Sequence, residues 1–375
     1  EYAYQFSRKK IADIEVTPAQ LALDPCSASA VITDVHTGEV RALVTYPSYD
    51  NNKFSGTVDA EYYNKLNNDQ SLPLFNNATQ AQKAPGSTFK PIIAVAALEE
   101  GVIGLNDTVN CTGIYKEISP ALRCWIYPGQ HGPLDVVHGI QNSCNVFFSE
   151  MGHRLSMDEN GNYSPELGIE KIRKYASLFG LDETSGIEIA EREPQMTTEK
   201  PEASSIGQGK NSYSNVQLSR YITAVANKGT VFKLSLLDKM TDSQGNLLED
   251  FTPEVRSVID VKDSTWNAVH TGMRRVISDG SARKIFSDLE VDIAGKTGTA
   301  EEIKNGHRIN HAFFVSFAPY QNPEIAVTVN IPYGYSSSNA ATAAKNIYRF
   351  YYGYTDLNYI LNNSALNSSN VEIGD

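Results

Sequence analysis

The stretch KAPGSTFKPIIAVAALEEG, at residues 83–101, constrains the fold of this chain more than any other. Its Pro85-Gly86 pair forces a turn, and apolar residues then recur at helical spacing from Phe89 until Gly101. The stretch therefore predicts a sharp turn that leads directly into a helix. Backbone N–H groups at such a helix N-terminus lack helical partners and, together with the helix dipole, favour a developing negative charge.

Ser87 and Lys90 lie at that N-terminus, three positions apart, so their side chains share one face. A Ser hydroxyl becomes a strong nucleophile only when a base removes its proton. A Lys beside other cations in a partly desolvated cleft is able to lose its own proton and serve as that base. Taken alone, the pair also fits an N-cap Ser beside a solvated Lys, because the S-x-x-K pattern is common.

A second candidate motif is Ser143-Cys144-Asn145, which opens the helical stretch NVFFSEMGHRL. The Ser hydroxyl and the Asn amide are suited to relaying a proton and holding a substrate carbonyl. The alternative is structural, since an N-cap Ser beside an Asn is frequent.

A third candidate motif is Lys296-Thr297-Gly298-Thr299, on a predicted strand. The Gly lets a ligand approach the backbone closely, and one Lys with two Thr is able to bind a carboxylate. A Lys-Thr pair on an ordinary exposed strand is the alternative.

The three motifs occur in order along the chain, on two helix starts and one strand. Their joint occurrence by chance in these contexts is improbable, and the same set is found in penicillin-binding proteins and class A β-lactamases. Together they predict an active-serine enzyme with Ser87 as its nucleophile.

The remaining pattern indicates an α+β fold, with strands first, helices in the middle, and antiparallel strands with a helix at the end. The predicted elements are a hairpin at 30–50, helices at 214–229 and 264–280, strands at 290–303, 307–319 and 324–333, and a helix at 339–353. Ser214 and Gln217 have the spacing of a capping box. We expect one domain over residues 30–353, after an irregular lead-in at 1–29 from a missing upstream domain and before a tail at 354–375.

Charge and hydropathy exclude some classes of protein. A formal net charge of −12 argues against a general nucleic-acid binder, because no basic stripe would follow the phosphates. No apolar run reaches the length of about 18 residues that a membrane span needs, and no signal peptide is visible. Because the chain starts without Met, we expect an excised fragment whose targeting segment lay upstream.

The chain resembles the transpeptidase domain of class B penicillin-binding proteins over roughly residues 28–352. Beyond the three motifs, the resemblance includes GEVRALVTYPSYDNN, LFNNATQAQKAPGSTFKP, CWIYPGQHG, SIGQG and NHAFFVSFAP. Asn77 departs from the Arg that the family often has. The resemblance implies the fold of these domains and of serine β-lactamases, an antiparallel sheet flanked by helices with an all-α subregion. It also implies an elongation-type member.

The resemblance implies a role for each motif residue in acylation. Ser87 attacks the penultimate D-alanine carbonyl of a peptidoglycan stem peptide, and Lys90 accepts the Ser proton. Asn145 orients Lys90 and the peptide. The backbone N–H groups of Ser87 and Thr299 form the oxyanion hole.

The remaining motif residues handle the leaving group and the substrate carboxylate. Ser143 passes a proton to the departing D-alanine, and Lys296 tunes that transfer. Thr297, Gly298 and Thr299 bind the terminal carboxylate.

The resemblance also implies a peptidoglycan D,D-transpeptidase that β-lactams acylate and inhibit, without an organic cofactor. The partner expected is a SEDS-family glycosyltransferase, contacted through a missing N-terminal part. The expected location is the extracytoplasmic face of the bacterial membrane, with an anchoring helix upstream. A serine β-lactamase and a β-lactam sensor receptor are the alternatives, although no Glu-containing deacylation signature is apparent.

Cys111, Cys124, His131 and Cys144 are separated by 13, 7 and 13 positions. Three thiolates and one imidazole form a complete tetrahedral zinc set without an open position, which is typical of a structural site. The spacing is not that of a standard zinc finger, and a Cys111–Cys124 disulfide is the main alternative in an extracytoplasmic protein. The resemblance favours zinc, because some elongation-type class B proteins carry a zinc site in this segment, including a Cys inside the S-x-N motif.

Two other candidates are set aside. Cys26 has no partner in this scheme and is expected to be a small buried residue, and His138 is expected to be an ordinary helix residue. If zinc binds, the thiolate of Cys144 points away from the cleft that Ser143 and Asn145 face.

Overall fold

The computed structural model describes residues 2–13, 15–16, 27–304 and 306–363. The helices are α1 (Tyr2–Ala12), α2 (Ala60–Asn67), α3 (Lys90–Glu99), α4 (Val136–Gln141), α5 (Asn145–Leu155), α6 (Pro165–Leu178), α7 (Pro201–Ser204), α8 (Asn215–Ala226), α9 (Asp263–Ser278), α10 (Arg283–Phe286), α11 (Ser337–Tyr351) and α12 (Leu357–Asn363). The strands are β1 (Ala28–Asp34), β2 (Val40–Tyr46), β3 (Val109–Cys111), β4 (Ile114–Tyr115), β5 (Leu122–Arg123), β6 (Gly132–Leu134), β7 (Thr230–Lys233), β8 (Lys239–Thr241), β9 (Leu247–Asp250), β10 (Glu254–Val258), β11 (Ala294–Lys304), β12 (His307–Ala318) and β13 (Ile325–Ile331).

The main sheet has five antiparallel strands in the order β11-β12-β13-β1-β2. Strand β1 pairs with both β2 and β13, so the first and last strands of the domain lie side by side. Strand β11 forms one edge of this sheet, and Thr299 on it faces Ala312 on β12. The α+β prediction is therefore confirmed.

Helices cover both faces of the sheet. Because side chains alternate between faces along a strand, Thr33 and Ser316 belong to opposite faces in the observed register. The Thr33 hydroxyl lies 2.6 Å from that of Thr223 on α8, and the Ser316 hydroxyl lies 2.9 Å from that of Tyr348 on α11. Both contacts are buried, so α8 packs on one face and α11 on the other.

Helix α3 lies in the middle of an all-helical subregion and contacts α5, α6 and α9. Its sequence KPIIAVAALE is apolar on every side, and Ile92, Ile93 and Val95 are completely buried. A helix that is hydrophobic all round is stable only inside a core. Core packing therefore holds α3 in a fixed position, and this also fixes the position of the residues at its N-terminus.

The predicted hairpin, both middle helices, the three last strands and α11 are all observed, and α8 begins with the Ser214–Gln217 capping box. One local prediction is refined and one was wrong. Ser87 lies at the start of the helical segment, as predicted, but on a 3-10 turn, Gly86–Phe89, that leads directly into the α-helix. The lead-in is not wholly irregular, because α1 forms from Gln, Lys, Arg and Ala, which favour helix without an apolar stripe.

Some predictions concern residues outside the described ranges. These are Cys26, Asn305 of the expected Asn-Gly turn, and residues 364–375 of the tail. The two strands on either side of that turn are β11 and β12, and they are paired with each other from Ala294 to Lys304 of β11. Within the described ranges, no helix has both the length and the apolar character that a bilayer crossing requires.

Candidate active site

The Ser87–Lys90 pair lies where the 3-10 turn meets α3. The Lys90 Nζ donates a hydrogen bond to the Ser87 Oγ at 2.9 Å, and Lys90 is completely buried. Ser87 is 6% exposed and is among the residues that line a large cavity. A lysine placed there is in contact with the nucleophile and shielded from bulk water.

The second motif surrounds the same ammonium group. The Lys90 Nζ donates to the Ser143 carbonyl at 2.7 Å and to the Asn145 Oδ1 at 2.8 Å, and lies 3.2 Å from the Ser143 Oγ. Ser143 has a φ of 49°, a left-handed backbone that is strained for a residue with a side chain. This conformation allows its carbonyl and its hydroxyl to reach Lys90 together.

The third motif completes the set from the sheet. The Lys296 Nζ donates to the Ser143 Oγ at 2.8 Å and to the Thr297 carbonyl at 2.9 Å, and Lys296 is completely buried. Hydrogen bonds therefore run without a break from Ser87 through Lys90 and Ser143 to Lys296. Two buried amines beside one hydroxyl repel each other when both are charged, so a state with both amines protonated is disfavoured. A lysine must be neutral to act as a base.

Two glycines allow the serine turn to lie against β11. Gly86 has a φ of +54°, and a Cβ there would be 2.7 Å from the Thr299 carbonyl oxygen. A Cβ on Gly298 would be 2.7 Å from the Thr88 side chain and 3.0 Å from the backbone of the turn. Any side chain at either position would push the strand away from Ser87.

These groups open into a cavity of about 1050 Å³. One wall is the segment 121–127, and the other consists of β11, β12 and the loop after β13. Ser87, Asn145 and Thr299 are among the residues that line it. The cavity is therefore large enough for a peptide, and the three predicted motifs meet in it.

A network that the sequence did not reveal holds one wall in place. The Lys83 Nζ and the His311 Nε2 both donate to the Glu302 carboxylate, at 2.6 and 2.9 Å. The Tyr333 N–H donates to the His311 Nδ1 at 3.1 Å, which fixes the neutral Nε2–H form of the ring. The hydrogen bonds from Lys83 and His311 lower the pKa of Glu302 below its ordinary value. The segment before Ser87 is thus tied to β11 and to the loop after β13.

The predicted metal ligands also lie together, behind the second motif. The ligand atoms of Cys111, Cys124, His131 and Cys144 are all within 4.8 Å of one another. The His131 Nδ1 is 3.5 Å from the Cys111 Sγ and 3.7 Å from the Cys124 Sγ, and the Sγ atoms of Cys124 and Cys144 are 3.9 Å apart. All three thiols are free, so no Cys111–Cys124 disulfide is formed.

The geometry and electrostatics of this Cys/His cluster fit a tetrahedral zinc ion. Zn–S bonds of about 2.3 Å and Zn–N bonds of about 2.0 Å put neighbouring ligand atoms about 3.5–3.8 Å apart. Hydrogen bonding with Cys144 lowers the pKa of Cys111 and Cys124 and raises that of Cys144. Burial opposes the protonation of His131, yet hydrogen bonds to Cys124 and Cys111 raise its pKa. A cation bound among these thiols would favour their deprotonated forms.

His138 lies outside the cluster, as expected. It is on α4, where its Nδ1 contacts the Asp135 carboxylate at 2.8 Å and its Nε2 contacts Arg275 at 2.8 Å. These partners account for the residue without a metal.

Comparison with known proteins places the chain in a family. The sequence profile described as "Penicillin binding protein transpeptidase domain" matches residues 28–349. The peptidoglycan D,D-transpeptidase MrdA of Haemophilus influenzae is 31% identical over 366 residues, which cover 88% of this chain and 53% of the relative. MrdA of Escherichia coli K12 is 31% identical over 351 residues, covering 85% of this chain and 53% of the relative. The chain thus spans about half the length of these curated relatives.

Solved structures agree with this placement. A chain of a peptidoglycan synthase complex superposes with a TM-score of 0.78 at 26% identity, over 93% of this chain and 60% of that one. The crystal structure of Pseudomonas aeruginosa PBP2 in complex with WCK 5153 gives a TM-score of 0.74 at 28% identity, over 89% of this chain and 75% of that one. The fold, the family profile and the meeting of the three motifs lead to one conclusion. The chain belongs to the penicillin-binding protein transpeptidase domain family.

Proposed function

We propose that this chain is the catalytic domain of an elongation-type peptidoglycan D,D-transpeptidase that forms an acyl-enzyme on Ser87. The observation that carries the proposal is the hydrogen-bonded path from Ser87 through Lys90 and Ser143 to Lys296, at the base of a peptide-sized cavity. The similarity to relatives named peptidoglycan D,D-transpeptidase supports it. We assign the activity to residues 30–353, with 1–29 as a lead-in and 354–375 as a tail.

Acylation uses the first two motifs. The Ser87 Oγ attacks the penultimate D-alanine carbonyl while its proton passes to the neutral Lys90 amine, 2.9 Å away. The backbone N–H groups of Ser87 and Thr299 stabilise the oxyanion, a contribution of about 3–4 kcal/mol for each donor in related chemistry. Asn145 holds Lys90 in position through its Oδ1.

Collapse of the tetrahedral intermediate breaks the D-Ala-D-Ala amide bond. Ser143 gives its proton to the leaving nitrogen and is resupplied along the hydrogen bonds that join it to Lys90 and Lys296. Thr297, Gly298 and Thr299 bind the terminal carboxylate of the donor. An amine of a neighbouring stem peptide then attacks the ester carbonyl and loses a proton to Lys90. The Ser87 oxygen leaves and takes that proton back from Lys90, and the new amide bond is the cross-link.

β-Lactams act as substrates that stop at the acyl-enzyme stage. Their ring amide takes the place of the D-Ala-D-Ala amide, and attack by Ser87 opens the ring. We therefore propose that β-lactams acylate Ser87 and inhibit the enzyme.

We infer that Cys111, Cys124, His131 and Cys144 hold a zinc ion with a structural role. Support comes from the donor set, the burial of its three cysteines, and three ligand-atom separations of 3.5–3.9 Å in a group whose ligand atoms all lie within 4.8 Å of one another. Bound zinc neutralises the thiolates and stabilises the fold. About one zinc per chain by elemental analysis, and a fall in Tm with a chelator, are expected. A metal-free protein whose Tm the chelator does not change would contradict the assignment.

The cellular setting rests on the family resemblance. We propose that the domain acts on the extracytoplasmic face of the bacterial membrane, anchored by an upstream helix. We also propose a SEDS-family glycosyltransferase as its partner.

One experiment separates the transpeptidase from its alternatives. The chain is incubated with a D-Ala-D-Ala donor peptide and an acceptor amine, and D-alanine release and the cross-linked dimer are measured. A transpeptidase gives both products, and Ser87→Ala gives neither. Rapid turnover of penicillin without a dimer would indicate a β-lactamase, and stable penicillin binding without D-alanine release would indicate a sensor receptor.

A further inference from the structure

Arg123 lies in the wall of the catalytic cavity opposite β11, on the segment 121–127. Its side chain is exposed, and its guanidinium lies 4.8 Å from the centre of the Tyr127 ring. Stacking on an aromatic face orients a guanidinium while its N–H edge stays available for hydrogen bonds. The cavity wall therefore carries a guanidinium group whose orientation is set before a ligand binds.

This charge is not neutralised by the protein. Throughout the described ranges, no carboxylate forms an ion pair with Arg123, although the chain has 44 acidic and 32 basic residues. The other charged side chains that line the cavity, Glu301 and Arg308, are paired with each other. Among the described charged side chains that line the cavity, Arg123 is thus the one without an ion-pair partner, and its charge is available to an anion from outside the chain.

The backbone of Arg123 is fixed relative to the nucleophile. The Asn145 Nδ2 donates to the Arg123 carbonyl at 3.2 Å, while its Oδ1 accepts from Lys90 at 2.8 Å. Lys90 in turn contacts Ser87 at 2.9 Å. Three hydrogen bonds therefore connect the Arg123 backbone to Ser87, and the next residue, Cys124, belongs to the Cys/His cluster.

We propose that Arg123 is a specificity-determining residue that binds a second carboxylate on the donor peptide, carried by the residue before the D-alanine pair. This inference rests on the proposed function. The terminal carboxylate already has partners on β11, and the two alanines carry no side-chain charge. The residue before the two alanines is therefore the nearest position at which a donor can carry an anionic side chain. In an extended peptide it lies one residue span, about 3.3–3.6 Å, beyond the first of them. A planar Arg fork matches a carboxylate better than a Lys does.

The test compares two donor pentapeptides that end in D-Ala-D-Ala. They are identical except that the third residue carries either a free side-chain carboxylate or its primary amide. D-Alanine release is measured to give kcat/KM for each donor, and the quantity compared is the carboxylate-to-amide ratio. A ratio cancels any loss of folded protein in a variant.

Wild-type protein is expected to prefer the carboxylate donor by about 10- to 100-fold. Arg123→Ala should bring the ratio close to one, and Arg123→Lys should give an intermediate ratio because it keeps the charge and loses the fork. Arg41→Ala is the charge-matched control, since Arg41 lies on β2 at the opposite edge of the sheet and its removal should leave the ratio unchanged.

Two results would overturn the assignment. A wild-type ratio near one, or a ratio that Arg123→Ala leaves unchanged, would show that Arg123 does not read this carboxylate while the transpeptidase proposal stands. Release of D-alanine from neither donor by wild-type protein would instead overturn the proposed function, and the role of Arg123 with it.

Discussion

Ser143 and Cys144 are neighbours in sequence whose side chains belong to two different clusters. The Ser143 Oγ lies 2.8 Å from the Lys296 Nζ, whereas the Cys144 Sγ lies 3.9 Å from the Cys124 Sγ. Cys144 is also the N-cap of α5, where its Sγ accepts a hydrogen bond from the Phe147 N–H at 3.4 Å. One residue thus joins the Cys/His cluster to the start of the helix that carries Asn145.

Replacement of Cys144 should reduce activity without removing a group that contacts substrate. In Cys144→Ala, we expect a lower Tm and penicillin acylation that is slower by about 10- to 100-fold, the range typical of lost metal-site support. Stopped-flow acylation and thermal melts measure the two effects. Ser149→Ala removes another buried polar group of α5 and should change acylation little. Equal acylation rates in the two variants would contradict a link between the Cys/His cluster and the second motif.

Lys90 should be required for the rate of acylation. Lys90→Met keeps the length of the side chain and removes the group that contacts Ser87, Ser143 and Asn145. The penicillin acylation rate constant should fall by about 10²- to 10⁴-fold, the usual range for loss of a general base. A circular dichroism spectrum like that of the wild type would show that the fold is kept. An acylation rate constant within tenfold of the wild-type value would show that Lys90 is not the general base.

Gly86 should be needed for both its backbone conformation and the space around it. Gly86→Ala places a Cβ 2.7 Å from the Thr299 carbonyl in a left-handed backbone, so we expect a cost of about 2–4 kcal/mol and severe loss of acylation. Gly161→Ala is the matched control, because Gly161 has a φ of +79° and open space around it. It should cost about 1 kcal/mol and leave acylation intact. Chemical denaturation and penicillin labelling check the pair, and similar labelling losses in both would contradict this account.

Acid should destabilise the domain through His270. Burial lowers the pKa of this ring to about 4, and its Nε2 donates to the Val225 carbonyl at 2.7 Å. Because the folded-state pKa lies below the ordinary value of 6.5, its contribution to stability is complete above that pH and is lost as pH falls toward 4. Between pH 7.5 and pH 5 we expect a loss of about 2 kcal/mol.

Denaturation of His270→Gln at the same two pH values isolates this contribution. Gln keeps an N–H donor and does not titrate, so the variant should lose less stability than the wild type over that interval. A variant that loses as much as the wild type would show that other groups cause the acid sensitivity.

The sequence was most informative where a signal is local. The turn and apolar run around Ser87, the capping box at Ser214 and the Asn145 helix start are short patterns set by neighbouring residues, and each is observed. The grouping of Cys111 with the other three ligands was suggested by residue type and clustering, and the family resemblance favoured it. Lys83 pairs with Glu302, 219 positions away, and no local pattern encodes such a contact.

Other features depend on packing that no periodicity shows. The left-handed backbone of Ser143 accompanies a hydrogen bond between its carbonyl and Lys90, a contact across 53 positions that no local pattern encodes. The exposure of Arg123 inside a catalytic cavity follows from how segment 121–127 folds against Asn145. Helix α1 lies in a stretch without an apolar stripe, so its pattern did not distinguish it from a loop.

The most direct test of the central claim is intact-mass measurement after penicillin treatment, on the wild type and on Ser87→Ala. The wild type should gain the mass of one penicillin under denaturing conditions, and peptide mapping should locate it on Ser87. Ser87→Ala should gain nothing. Covalent penicillin in Ser87→Ala, or a wild-type adduct on any other residue, would contradict the assignment of Ser87 as the nucleophile.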